Sequence, residues 1–168
     1  MEGYFLSMRA FCGLLAVAVT LLAAGGCGGG SSSDSGEISV QTGSLTKAKF
    51  VSKANEICEE RKQQFERKLE ALEANLPAQV SKSQQAQAAK LIASLINPTY
   101  KKLIDQISSL GAPSGDEEQV GSFLSAVQQS LDELRQQPTK AFEGLTPFER
   151  ASKLARAYGL STCADSLS

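Results

Sequence analysis

Beyond its first 45 residues, the chain repeats apolar residues with the period of an α-helix. Four residues recur every seven positions, which places them on one face of a first helix. They are Val51, Cys58, Phe65 and Leu72, with Ala54, Leu69 and Leu76 on the same face. Mixed charges lie between them and predict a solvated face; they include Glu59, Arg61, Lys62, Glu66, Arg67 and Glu70. Pro77 ends this helix.

A second helix is predicted from Ser81, because Gln84 completes a capping box three residues later. Its apolar face consists of Ala88, Ile92, Leu95, Ile96, Leu103, Ile107 and Leu110. Pro98 lies within this pattern and lacks a backbone N–H donor, so we expect the helix to be kinked or broken near Pro98. Gly111 and Pro113 end it.

A third helix is predicted after a capping box of Ser114 and Glu117, with Asp116 adding negative charge at the positive end of the helix dipole. Its apolar stripe consists of Val120, Phe123, Leu124, Val127, Leu131 and Leu134. Pro138 ends this helix.

The fourth helix is predicted with Thr146 as its N-cap, Pro147 at the first helical position and Glu149 completing a capping box. Gly159 is predicted to be its left-handed C-cap residue, and Cys163 follows within about a turn. Four amphipathic helices with short connections predict an all-α fold, a four-helix up-down bundle over residues 45–168.

The apolar run over residues 10–24 is too short for a membrane-spanning helix, which needs about 20 apolar residues. It has the length of the apolar core of a secretory signal peptide. Arg9 directly precedes the run, so a start at Met8 is an alternative to Met1.

The run ends in Leu21-Leu22-Ala23-Ala24-Gly25-Gly26-Cys27. This junction resembles the lipobox of bacterial prolipoproteins, although Ala24 stands where leucine is usual. The resemblance implies a signal peptide over residues 1–26, cleavage between Gly26 and Cys27, and acyl chains such as palmitate on Cys27. Ordinary secretion and an uncleaved anchor are the alternatives.

The stretch that follows Cys27 is rich in glycine and serine and has no helical period. It predicts a flexible tether over residues 27–44, with a root-mean-square span of about 20–25 Å. Together with a lipid on Cys27, it indicates a domain held near the outer face of a cell membrane.

Four cysteines are present. Cys12 lies in the segment that the signal-peptide interpretation removes, and Cys27 is the lipid site. Cys58 and Cys163 remain, an even pair in an exported compartment, so we expect a disulfide between them. A zinc site would need four Cys or His ligands, and a cysteine nucleophile would lack a histidine partner.

The segments 50–58 and 154–163, each ending in one of these cysteines, resemble the paired ends of small helical envelope lipoproteins from actinobacteria. The resemblance also implies a pairing of Cys58 with Cys163. It implies no activity.

The composition offers little for catalysis, because the chain contains no histidine. Carboxylates adjacent in sequence, such as Glu59 and Glu60, diverge on a helix and are poor catalytic pairs. We therefore predict no enzyme activity, no cofactor and no metal site. The formal net charge of -1 gives no reason to expect nucleic-acid binding. Lys47, Lys49 and Lys53 are predicted to form a polar helix start, or alternatively to face anionic lipid or a cell-wall polymer.

These observations favour a lipid-anchored helical module that binds or scaffolds an envelope protein or a cell-wall component. The alternative is a carrier that encloses a small apolar ligand between the second and third helices, near Pro98. The sequence identifies neither the partner nor the oligomeric state.

Overall fold

A computed structural model describes residues 36–74, 82–143 and 146–168. Over these ranges the chain is mostly helical and has no strand, which confirms the all-α class. The described helices are α1 (Lys47–Glu73), α2 (Lys82–Ser109), α3 (Glu117–Gln136), α4 (Glu149–Tyr158) and α5 (Ser161–Ser166). Two 3₁₀ helices, Pro138–Glu143 and Thr146–Phe148, precede α4.

The start of α1 agrees with the sequence, and the start of α3 does not. The Thr46 side chain caps α1 by accepting a hydrogen bond from the Lys49 amide. The N-cap of α3 is Asp116, not Ser114. The expected capping box is wrong because the Glu117 carboxylate turns to the amide of Gly115, at 2.8 Å.

The start of α4 also differs from the prediction. Thr146 belongs to a 3₁₀ turn, and the α-helix begins only at Glu149. The Ser130 hydroxyl of α3 donates to the Pro147 carbonyl at 2.6 Å, so this carbonyl is engaged by a neighbouring helix. No side chain caps α4 at its N-cap residue, Phe148.

The second helix continues through Pro98 as one element, so the predicted alternative of a break is wrong. The side chains on either side of Pro98 bond to the preceding turn. Asn97 donates to the Ala93 carbonyl at 2.9 Å, and Thr99 donates to the Leu95 carbonyl at 2.8 Å. Such bonds compete with the helical ladder and bend helices, so a kink here stays a prediction.

The sequence did not predict α5. Gly159 has φ +100 and ends α4 as expected. The Leu160 amide then bonds to the Ala155 carbonyl at 2.8 Å, and the chain re-enters a short helix that carries Cys163. Six residues are too few to show a helical period, which explains the omission.

The helices enclose one apolar core. The predicted stripe of α3 is fully buried, as expected. Three aromatic contacts join the elements: Phe50 with Tyr158, Phe65 with Tyr100, and Tyr100 with Phe148, at ring-centroid distances of 6.0, 6.3 and 5.0 Å. Tyr100 is a core residue, and its hydroxyl donates to the Ser166 carbonyl of α5 at 2.8 Å.

The buried face of α1 is rotated from the predicted stripe. Phe50 is fully buried and Val51 is half-buried. Arg61, which the sequence places on the solvated face, is only 8% exposed. Its Nη1 donates to the Gln64 side chain at 2.8 Å. The sequence pattern misassigned Arg61 because a long aliphatic stem can be buried beneath a charged head.

The disulfide between Cys58 of α1 and Cys163 of α5 is present, with a Cα–Cα distance of 5.0 Å. This confirms the predicted pairing. The Asn55 side chain supports it by accepting from the Thr162 amide at 3.1 Å. The last helix is thus fixed to the first part of α1.

Candidate functional site

The residues that the sequence assigned to function lie outside the described part of the chain. These are the signal peptide over residues 1–26 and the cleavage and lipidation site at Gly26 and Cys27. The described residues nearest to them are 36–44. They form the candidate functional site because they link the predicted anchor to the helical domain.

We call residues 38–44 the strap. The strap is hydrogen-bonded to the loop between α2 and α3. The Gly43 amide donates to the Ala112 carbonyl at 2.7 Å, and the Ala112 amide donates to the Gln41 carbonyl at 2.9 Å. Thr42 and Ala112 thereby form an isolated parallel bridge. The prediction of a flexible tether up to residue 44 is wrong for the strap, because its backbone is paired with the domain.

The first half of the strap lies against α3. The Ile38 amide donates to the Ser125 hydroxyl at 2.7 Å, and the Ile38 and Val40 side chains pack against the core. A Cβ atom on Gly121 would lie 2.7 Å from the Ile38 carbonyl oxygen. Glycine is therefore required at this position of α3 for the strap to approach.

The second half of the strap depends on two further glycines. A Cβ on Gly43 would lie 2.6 Å from the Leu110 carbonyl oxygen, and a Cβ on Gly111 would lie 2.6 Å from the Gly43 Cα. Gly111 also has φ +64, in the left-handed region that favours glycine. The two backbones thus touch where no side chain can fit.

Glu117 at the start of α3 holds the strap from the side. Its carboxylate accepts from the Thr42 hydroxyl at 2.5 Å and from the Gly115 amide at 2.8 Å. The hydrogen bond from Thr42 is the largest cause that lowers the pKa of Glu117 below its ordinary value. The carboxylate is thus kept ionised at the positive end of the α3 dipole.

Contacts among three side chains connect the end of α4 to the starts of α3 and α1. The Tyr158 hydroxyl donates to Asp116 Oδ2 at 2.7 Å. The Lys47 ammonium lies 3.4 Å from the same oxygen and 4.2 Å from the centroid of the Tyr158 ring. Burial, followed by the hydrogen bond and the charge of Asp116, raises the pKa of Tyr158 above its ordinary value near 10. Lys47 is therefore paired within the domain, and an envelope polymer would have to compete for it.

We expect Tyr158→Phe to lower the free energy of unfolding by about 1–2 kcal/mol near neutral pH, because Asp116 loses a donor. Because the folded-state pKa of Tyr158 is raised, its contribution is complete below about pH 10 and is lost as the pH rises further. Urea unfolding of both proteins at about pH 8 and about pH 11 should therefore show a smaller difference at the higher pH. A difference that is unchanged or larger would contradict this assignment.

The carboxylates considered for catalysis form no metal cluster in the described ranges: there, no group of three or more His, Cys, Asp or Glu residues could hold a metal ion. Glu59 and Glu60 are exposed on α1. The Glu59 carboxylate accepts from Gln63 at 2.9 Å, and Glu60 lies 3.5 Å from the Arg61 guanidinium. Asp116 and Glu117 are engaged as described above.

Among the clefts lined by described residues, three bear on these alternatives. The first, of about 590 Å³, lies between the strap and the last turns of α2. The second, of about 210 Å³, lies near Glu37 and Arg150, and the third, of about 300 Å³, lies near Leu154 and Tyr158. None of the three is lined by Pro98 or by residues within one turn of it.

Searches of protein-family models, of curated proteins and of solved structures give no match to this chain. Within the part of the chain that the structure describes, no helix combines the length and the apolar character needed to cross a membrane.

The strap is the main feature that sequence reasoning missed. Its signals are weak: two apolar residues at alternate positions, Ile38 and Val40, and glycines at positions 43, 111 and 121 that are far apart in the sequence. Each glycine alone indicates only a turn or a helix end. Their joint role depends on the close approach of the strap, the loop between α2 and α3, and α3 itself. No local sequence pattern predicts this approach.

Proposed function

We propose that this chain is a lipid-anchored helical module on the extracytoplasmic face of a bacterial cell membrane. It acts without catalysis, by holding an envelope protein or a cell-wall component close to the bilayer. The lipobox-like residues that end in Cys27 support the anchor. The resemblance of segments 50–58 and 154–163 to small actinobacterial envelope lipoproteins supports the class of protein.

The lipobox-like stretch that ends in Cys27 carries this proposal, and the docked strap limits the length of the tether. Because the strap binds the domain from Ile38 onwards, eleven residue steps separate the domain from Cys27. A Gly/Ser-rich coil of that length has a root-mean-square span of about 17–20 Å and a fully extended reach of about 36–40 Å. The domain would thus stay closer to the bilayer than a tether running to residue 44 would allow.

The proposal includes an up-down bundle of α1 to α4, with a kink in α2 near Pro98. Two contacts between helix ends support this arrangement. The pairing of Gly43 with Ala112 brings the start of α1 to the end of α2. The bond between Tyr158 and Asp116 brings the end of α4 to the start of α3. Both contacts fit antiparallel neighbours joined by short connections.

The alternative of an apolar-ligand carrier gains no support from the clefts described above. The largest of them is lined by hydroxyl groups, backbone and Asp105, with few apolar side chains. Pockets for small apolar ligands are instead lined mainly by hydrophobic and aromatic side chains.

Replacing Cys27 by alanine tests the anchor. In cells fed an alkyne-tagged fatty acid, we expect the wild-type chain to carry the label and to fractionate with membranes. Cys27→Ala should lose both the label and the membrane-bound chain of mature size. Cys12→Ala is the matched control, because Cys12 lies in the predicted signal peptide, and it should behave like the wild type. Persistent label on Cys27→Ala, or mature-size chain in its membrane fraction, would refute lipid anchoring.

A further inference from the structure

The strap runs along α3 in the opposite chain direction. Thr42 bonds to Glu117 at the start of α3, and the Ile38 amide bonds to Ser125, about two turns further along the helix. Glu37 lines the cleft of about 210 Å³, which extends about one turn beyond Ser125. Followed towards its N-terminus, the chain therefore leaves the strap in the direction of the C-terminal end of α3.

The part of α3 that lies beyond the strap matches the tether in length. From Ser125 to Gln136, the last residue of α3, the helix rises by about 16 Å. The coil from Ile38 back to Cys27 has a root-mean-square span of about 17–20 Å. A lipid on Cys27 would thus lie close to the level of the C-terminal end of α3. For the opposite end of the domain to face the bilayer, the tether would have to turn back along the strap.

Two large apolar side chains are exposed at the C-terminal end of α3. Phe142 is 49% exposed and belongs to the 3₁₀ helix Pro138–Glu143, which follows α3 and packs against α2. Leu91 is 40% exposed and lies in the first half of α2. In the proposed bundle α2 is antiparallel to α3, so Leu91 lies level with the last turn of α3. Within the described ranges, no other large hydrophobic side chain is exposed.

The charged side chains near the end of α3 give no reason for an electrostatic contact. Arg135 is paired with Asp132, and Lys140 is paired with Glu133. A contact at this end therefore depends on apolar area. Exposed apolar side chains that occur singly are ordinary, but these two lie where the tether brings the domain to the lipid. Because the anchor holds the domain there, even a weak contact with the bilayer is formed as an intramolecular step.

We propose that Phe142 and Leu91 insert into the interface of the membrane to which Cys27 anchors the chain. Phenylalanine and leucine are typical of apolar surfaces that enter the boundary between headgroups and acyl chains. The contact deepens the proposed function and rests on it for the lipid anchor. It also gives the domain an orientation. The C-terminal end of α3 faces the bilayer, and the loop between α2 and α3 faces away from it, towards an envelope partner.

The test uses tryptophan as a fluorescent reporter, because the chain contains no tryptophan of its own. Phe142→Trp and Leu91→Trp place the reporter at the proposed contact. Ser114→Trp is the matched control, since Ser114 is also exposed but lies in the loop between α2 and α3. Each full chain is expressed in cells, purified in detergent and reconstituted into phosphatidylcholine–phosphatidylglycerol vesicles, with or without bromine atoms on the acyl chains.

We expect brominated lipid to quench most of the emission of Phe142→Trp and Leu91→Trp and to leave Ser114→Trp unchanged. The quenching should persist at about 1 M salt, where interactions between exposed charges are screened. No quenching at the first two positions, or equal quenching at all three, would overturn the orientation. Loss of quenching at about 1 M salt would overturn the apolar contact. Emission at shorter wavelength without quenching would indicate a protein on this surface, such as a second copy, and would also overturn it.

The intact mass of the same samples reports acylation at Cys27. An acylated chain without quenching contradicts the orientation and leaves the anchor in place. A chain without acyl groups contradicts the anchor and, with it, the orientation. The two proposals can thus be told apart when either one fails.

Discussion

Replacing Cys58 and Cys163 together by alanine is expected to lower the free energy of unfolding by about 2–5 kcal/mol. The disulfide closes a loop with a sequence separation of 105. In the chain-entropy model a loop of about 100 residues is worth about 4.7 kcal/mol at 25 °C, because the cross-link restricts the unfolded chain. Both cysteines are fully buried, so the lost sulfur contacts add to the effect. Urea unfolding at equilibrium measures the difference.

The control is the wild-type protein unfolded in the presence of a reductant, which removes the cross-link without changing a side chain. The reduced wild type and the double variant should agree to within about 1 kcal/mol, because they differ only in packing around two small side chains. If the double variant lost less than about 1 kcal/mol relative to the oxidised protein, the structural role of the disulfide would be wrong.

Gly111→Ala is expected to lower the free energy of unfolding by about 3–4 kcal/mol and to release the strap. The left-handed conformation at φ +64 costs a residue with a Cβ about 1–2 kcal/mol. The Cβ would also meet the Gly43 Cα at 2.6 Å, so the strap must move. The two backbone bonds between the strap and Ala112 are then lost, each worth about 1 kcal/mol.

Two variants separate these contributions. Gly115 also has positive φ, +88, but a Cβ there meets nothing within 4 Å. Gly115→Ala should therefore show only the conformational cost and keep the strap docked. Gly43→Ala introduces the clash without positive φ and should release the strap. Hydrogen exchange at the Gly43 amide reports docking directly. Slow exchange at this position in Gly111→Ala, as in the wild type, would show that the close contact is unimportant.

The sequence predicted those parts of the fold in which the local pattern and the burial agree. The stripe of α3 and the glycine that ends α4 are examples, because each follows from helical period or from backbone conformation alone. The start of α1 beyond residue 45 follows from the same helical period. The pairing of Cys58 with Cys163 followed from the cysteine count once Cys27 was assigned to the lipid.

Features that depend on tertiary contacts could not be predicted in this way. The Pro147 carbonyl is engaged by Ser130, seventeen residues away. Arg61 carries a charge that indicates exposure, yet its side chain is buried. The strap bonds to residues about 70 to 90 positions later in the chain, such as Ala112 and Ser125. For Pro147 and for the strap, a non-local interaction outweighs the local preference.

The candidate site also combines features that the sequence predicts with features that only the structure shows. Sequence patterns predict an anchor at Cys27 and a tether after it, whereas only the structure shows that residues 38–44 pair with the helical domain. In the proposed function, this boundary would set how far the domain extends from the bilayer.

Mass spectrometry of the N-terminal peptide from protein isolated from its native membrane tests the central claim most directly. The account predicts a peptide that begins at Cys27 and carries acyl chains on this residue, with nothing from residues 1–26 attached. A mature peptide that begins elsewhere, or one that contains an unmodified Cys27, would contradict it.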